Sequence, residues 1–294
     1  MLKWKASTWK KRSNRSRTLP SKQVPEEHVD VKHYNAICGV YDFMTLHVEW
    51  RNGHESLPAG ALVFAAFPGV GNLGKVAVKT MRELNETVEV ARLHVDALPP
   101  QANLDEDGLL APPHISLSET QTQGGRRFLT LTGAVQPVDM SLHGGIARQI
   151  MTFLKSQDVD SLVVLAGYKT AADRKETFAV ASSSAYRVDL ESAGVDVRRD
   201  EPKTGALGLG AMLASTGPLY DINSACVIGT TIGSSQDIMA TQRIIEHLDR
   251  WFDLRLKLPE NGGSWLRERL AVMAPETTED LVKELTANHD ASYM

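Results

Sequence analysis

The chain has little of what usually advertises a chemistry. Its 294 residues include only two cysteines, Cys38 and Cys226. Two thiols so far apart in sequence suit a reducing compartment and free thiols better than a disulfide framework. The nine histidines form no H-E-x-x-H pair and no cluster with cysteine, so they read as surface or structural groups. There is no G-x-S-x-G nucleophile elbow. Long apolar runs are also missing: stretches such as ALVFAAF, residues 61–67, are far too short to span a bilayer. Acid is absent from residues 1–22, where Lys3, Lys5, Lys10, Lys11, Arg12, Arg15, Arg17 and Lys22 stand. No apolar stretch follows those charges, so residues 1–36 read as a solvated basic arm rather than a signal peptide. The whole chain has a formal net charge of −4, so the remainder is acidic and does not invite nucleic acid, which leaves the basic arm as the one segment suited to it. The expectation is a cytoplasmic protein without membrane, metal or cofactor.

What is present is an ordinary globular composition, 42% hydrophobic and 23% charged. A core of roughly 220 residues buries about 70% of its unfolded surface and needs no staple to fold. Alternating Met44–Trp50 predicts a strand, and the continuous apolar run Ala61–Phe67 predicts one buried on both faces. Leu73, Val76, Ala77, Met81 and Leu84 then recur at helical spacing. Thr87–Leu93 predicts another strand, followed by a proline-rich segment. HISLS and RRFLTLTG flank Gly124-Gly125 as a hairpin. Ile146, Ile150, Phe153 and Leu154 mark a helix, Ser161–Gly167 and Ser224–Thr230 two more buried strands, and Ser182–Ser184 a helix start. The last helix is expected near Ser234, with Asp237 three residues on in a loose capping box. Apolar strands alternating with amphipathic helices imply a mostly parallel, mixed sheet covered on both faces. The domain is expected over residues 37–258, with a short helical extension over 259–287 and a flexible tail over 288–294.

FPGVGNLGK, residues 67–75, matches two phosphate-binding patterns at once. Gly69, Gly71 and Gly74 make G-x-G-x-x-G; Gly69, Gly74 and Lys75 make G-x-x-x-x-G-K. A nucleoside triphosphatase needs a hydroxyl after that lysine to hold magnesium, and here the residue is Val76. Neither later buried strand ends in the acid that would complete the metal site. For a dinucleotide, strand, loop and helix are in the right order and Asp96 stands at about the right distance. Yet Pro68 precedes the first glycine, and Asp96 opens the proline-rich loop. The plainer reading is a turn whose glycines permit positive φ and close helix–strand approach.

Motif order carries more than any one motif. FPGVGNLGKVAV resembles the signature of the proteasome assembly chaperone 2 family, with Pro68, Gly69, Gly71, Gly74 and Lys75 as its turn. Ala97–Pro100 is similar to that family's proline-bearing loop, and LTGAVQP to its strand ending in Gln136-Pro137. Leu162–Tyr168 is similar to its Gly-Gly-Tyr strand, with Ala166 before Gly167 and Tyr168. GALGLGAML, holding Gly208 and Gly210, resembles its small-residue segment. VIGTTIGSSQDIMAT, with Gly229 and Asp237, resembles its last strand and helix start, although Thr230 stands where the family often has Glu. The resemblance covers about residues 40–255. It implies a three-layer αβα sandwich similar to purine nucleoside phosphorylase, a homo-oligomer, no catalysis, and binding to proteasome α subunits during core-particle assembly.

The chain ends Ser292-Tyr293-Met294. Assembly factors and activators of this type end in a hydrophobic residue, Tyr and any residue, so Tyr293 matches and Ser292 departs. The resemblance makes these three residues the partner-binding tail, an aromatic ring and a terminal carboxylate inserted between α subunits. The competing reading is a phosphorylase- or hydrolase-like enzyme, or a small-molecule-binding regulator, that uses Pro68–Lys75 as an anion site.

Overall fold

A computed structural model describes residues 45–104, 108–203, 205–233 and 237–256, together with Ser264 and Glu268. The basic arm, all of the helical extension but Ser264 and Glu268, and the tail Ser292–Met294 lie outside the described residues, as does Ser234.

The elements follow the apolar pattern. Strand β1 is Leu46–Trp50 and β2 is Leu62–Ala66. A single 3-10 turn, Val70–Asn72, leads into helix α1, Leu73–Glu83. Strand β3 is Glu86–Val95. After a two-residue ladder between Asn103–Leu104 and Leu110–Ala111 come the hairpin strands β4, Ile115–Gln121, and β5, Arg127–Gly133. Helix α2 is His143–Ser156, β6 is Ser161–Lys169 and β7 is Thr177–Ala181. Helices α3, Ser184–Ser192, and α4, Leu209–Thr216, precede β8, Asn223–Thr231, and α5, Ile238–Phe252, follows it.

Eight strands form one sheet in the order β1-β3-β4-β5-β2-β6-β8-β7. The central pairs β5–β2, β2–β6 and β6–β8 are parallel. Pairs β1–β3, β3–β4, β4–β5 and β8–β7 are antiparallel. Side chains alternate across the central strands. Val63, Ala65, Leu162, Val164, Cys226 and Ile228 pack with α2 and α4 on one face. Phe64, Ala66, Val163, Leu165, Ala225 and Val227 pack with α1, α3 and α5 on the other. A sheet between two helical layers is the αβα sandwich the alternating pattern predicts. No helix among the described residues is long and apolar enough to cross a membrane.

Two details differ from the sequence reading. Strand β7 went unforeseen because it is a five-residue antiparallel edge strand with no apolar run longer than its neighbours'. Asp237 is itself the N-cap of α5: its carboxylate accepts from Ala240 N at 3.0 Å and from the Thr231 hydroxyl at 2.7 Å. The helix therefore begins at Ile238, and the cap bonds to the strand before it rather than to a box partner.

One half-buried cation ties α1 to the hairpin. Arg82 donates to the Thr130 hydroxyl at 2.7 Å, to Thr130 O at 3.0 Å and to Ser116 O at 3.3 Å. Burial pushes its guanidinium down to about 10, so these neutral acceptors take the place of water. Removing them all at once, Arg82→Ala should cost about 2 kcal/mol in urea unfolding, since hydrogen bonds to a charged donor are the stronger kind. Lys79→Ala, which touches only the exposed pair with Glu83 at 3.9 Å, should cost less than about 0.5 kcal/mol.

Candidate functional site

The glycine turn sits at the carboxyl end of β2 and is closed against β6. Gly71 has φ 62° and Asn72 φ 49°, so the chain makes two left-handed steps before α1 begins. Asn72 N donates to Gly69 O at 2.9 Å, so this amide is already satisfied inside the turn. Leu73 N is bonded in the same way to Val70 O. A Cβ on Gly74 would lie 2.1 Å from the Leu165 carbonyl oxygen, and one on Gly167 would lie 2.2 Å from Val70 O. Backbone meets backbone at both points, so neither position tolerates a side chain. Gly229, on the neighbouring strand β8, is held just as tightly by side chains: a Cβ there would come 2.6 Å from Ile244 Cδ1 and 2.8 Å from Leu73 Cδ2. Gly69 differs: its φ is −170°, ordinary extended backbone, and a Cβ there would meet only Phe67 O at 3.8 Å.

Gln136 clamps the turn to the opposite wall. Its amide Nε2 donates to Pro68 O at 2.9 Å, and its Oε1 accepts from Leu209 N at 3.4 Å, at the start of α4. Gly208, with φ 100°, is the N-cap of α4, and a Cβ on Gly210 would come 2.9 Å from Val164 Cγ1. Small residues thus let α4 lie close on the sheet. Pro137 is buried, and its carbonyl accepts from the buried His143 Nε2 at 2.8 Å, which fixes the entry to α2. Thr230 has its own structural task. Its hydroxyl accepts from Glu176 N and donates to Arg174 O, each at 2.7 Å, and so holds the chain that leads into β7.

The chain that approaches α4 is anchored by charge. Arg174 bonds Glu201, and its Nε lies 2.7 Å from Glu176 Oε2. Arg198 reaches Glu176 at 2.9 Å and Glu201 at 3.1 Å, with its guanidinium 4.4 Å from the Phe178 ring centre. Hydrogen bonds from Arg174 first, then Arg198, hold both Glu176 and Glu201 below the ordinary carboxylate range.

Together these pieces enclose a cavity of about 310 Å³ between the carboxyl ends of β2, β6 and β8 and the first turn of α4. Of the residues singled out in the sequence, Pro68, Gly69, Gly74 and Gln136 line it, and so do Gly167, Tyr168, Gly208 and Gly210. Gly71 and Lys75 belong to the turn without facing the cavity; Pro137, Gly229 and Asp237 support the elements around it. Sequence reading missed Phe67, Val70, Leu73, Leu207, Cys226 and Ile228 as lining groups. Their signal was present only in combination: strand residues of one face, read together with the glycine segment that covers them.

The nucleotide readings fail on placement. Lys75 Nζ donates to Ala134 O at 2.9 Å, at the end of β5. Burial, then the charge of Lys79, lowers its affinity for a proton. Asp96 follows β3, three strand positions from β2, or about 14 Å at usual spacing. A ribose-binding acid belongs on the strand beside the glycine turn.

This geometry makes two outcomes measurable. In urea unfolding, Gly74→Ala should lose about 1–3 kcal/mol through overpacking, and Gly69→Ala should stay within about 0.5 kcal/mol. Second, carboxylates with depressed pKa stabilise fully above their ordinary value and lose that contribution as pH falls through the lower folded value. Protection factors of the backbone amides at residues 198–201 and 203, corrected for the intrinsic pH dependence of exchange, should therefore fall below about pH 4.5, the ordinary value for Glu176 and Glu201. Glu201→Gln should show the same loss of protection at neutral pH.

Comparison with known proteins places this architecture. No curated protein matches the sequence. Among solved structures, Pyrococcus furiosus PbaA, described as an archaeal homolog of proteasome-assembly chaperone, superposes with a TM-score of 0.59 at 20% identity, over 78% of this chain and 96% of that one. PbaB from the same organism, described as an archaeal proteasome activator, gives 0.61 at 18% identity, over 83% and 98%. A Mycobacterium tuberculosis proteasome-assembly chaperone homologue gives 0.53 at 18% identity, over 74% and 97%. At these identities the likeness is one of fold. The PAC2 family model matches residues 63–265, from the second residue of β2 to beyond α5. With most of its length inside that match, the chain belongs to the PAC2 family.

Proposed function

We propose that the chain is a non-enzymatic chaperone that binds proteasome α subunits, assists core-particle assembly, and works as a homo-oligomer in the cytoplasm. The observation that carries this reading is the family match over residues 63–265, joined to a fold held in common with PbaA and PbaB. The site geometry supports it. A turn in which the Asn72 and Leu73 amides are bonded internally and the lysine is bonded to a carbonyl suits a structural corner better than an anion site. Apolar side chains also stand exposed at this end of the sheet: Val138 and Met140 after β5 are 83% and 61% exposed, and Ile232 and Met239 after β8 are 53% and 52% exposed. Such surface suits contact with another protein chain.

The tail Ser292-Tyr293-Met294 supplies the specific contact in this reading, on sequence grounds, since it lies outside the described residues. A three-residue tail binds weakly alone. Several tails on one oligomer gain roughly 10²–10⁴-fold in avidity if they reach their pockets together. Native mass spectrometry of the full chain with α subunits from the same cell should show a complex, and deleting Ser292–Met294 should weaken it by at least about tenfold. Unchanged binding after the deletion removes the tail from the mechanism; no complex with either chain overturns the assembly role.

A further inference from the structure

The cavity over the strand ends has a chemistry that assembly does not use. At about 310 Å³ it falls at the lower end of small-molecule sites. It also lies where open α/β sheets place ligands, at the carboxyl ends of parallel strands: the helices after β2 and β5, α1 and α2, lie on opposite faces, and Gln136 from the loop after β5 lines the cavity. Among the described residues that line it, none carries a charge. Phe67, Leu73, Cys226 and Ile228 are buried and form an apolar floor. Gly69, where a Cβ would meet only Phe67 O at 3.8 Å, leaves its peptide group bare on one wall, a flat surface that a ring can approach closely. At the rim, Val70 and Leu207 are 43% and 84% exposed, so the Leu207 side chain does not serve the core.

Polar capacity is small and well placed. Gln136 Oε1 has two lone pairs, and its one contact with Leu209 N is long, at 3.4 Å. It can accept a second hydrogen bond. An ion entering this space would lose its hydration and meet no opposite charge, a cost far above that of a neutral polar group. Burial pushes the Cys226 thiol up to about 12, so the floor is inert toward covalent capture.

We infer that this cavity binds a compact, uncharged, largely apolar ring compound that donates a hydrogen bond to Gln136. The site stands apart from the proteasome reading, and either can fail alone. It can be tested on the full-length protein with indole as probe, 1-methylindole as the analogue without a donor, and phenyl phosphate as a charged ring of similar size. Methyl-labelled protein titrated with indole should show shifts at Val70, Leu207 and Ile228, with a dissociation constant in the millimolar range or tighter. Loss of the donor should weaken binding about fivefold, and phenyl phosphate should leave those methyls unmoved. Ala211→Phe, which fills the cavity from α4, should cut indole affinity at least about tenfold; Leu207→Ser, at an exposed position, should weaken it without affecting folding.

Indole shifts confined to other methyls, equal binding by 1-methylindole, or phenyl phosphate binding as tightly as indole would each overturn the assignment. So would unchanged affinity in a folded Ala211→Phe. If that variant does not fold, the wild-type methyl map and Leu207→Ser decide the question.

Discussion

Backbone contact without an intervening side chain is the constraint on which this structure rests. The Leu165 carbonyl occupies the place where Gly74 would carry a Cβ, and the Val70 carbonyl does the same at Gly167. Because both atoms are main chain, neither can rotate away, and any larger residue must displace a strand or a helix. This contact seats α1 and its turn on the end of β6. Gly229 extends it to β8 and Gly210 to the α4 side, so helices on both faces settle close to the same strand ends.

The cavity and the turn follow from that seating. Once Val70 is folded over β6, the Asn72 and Leu73 amides bond within the turn, and Lys75 is carried toward Ala134 at the end of β5. A glycine pattern shared with phosphate loops thus performs a different physical task. In a phosphate loop glycine makes room for an anion; here it makes room for the protein's own carbonyls. The apolar walls left between β2, β6, β8 and α4 then form a neutral recess, bridged by the Gln136 amide.

Much of the fold was legible because buried strands and amphipathic helices leave periodic traces. Val63 to Ala66 alternate between the two cores as a doubly buried strand must. The layered class, the parallel centre and the hairpin around Gly124-Gly125 could all be read from such traces. Edge strand β7 could not, because it is only five residues long and its partner lies over forty residues away in sequence. The site was legible only as fragments. Each glycine marked a special position, but periodicity carries no information on whether a missing Cβ serves a positive φ, as at Gly71, or a contact with a distant backbone, as at Gly74. Gln136 stood out by motif alone; that it joins Pro68 to Leu209 depends on folding that brings positions 68 and 73 residues away beside it.

Membership of the PAC2 family supports the proposed chaperone role, and in that proposal the glycine turn is a corner of the scaffold. The most direct measurement is amide hydrogen exchange across Gly69–Lys75 with and without Mg-ATP or phosphate. If the turn is closed by its own backbone, protection at Val70–Lys75 stays the same at any anion concentration. A gain in protection confined to those amides, abolished by Lys75→Ala, would show an anion cradle and contradict the account.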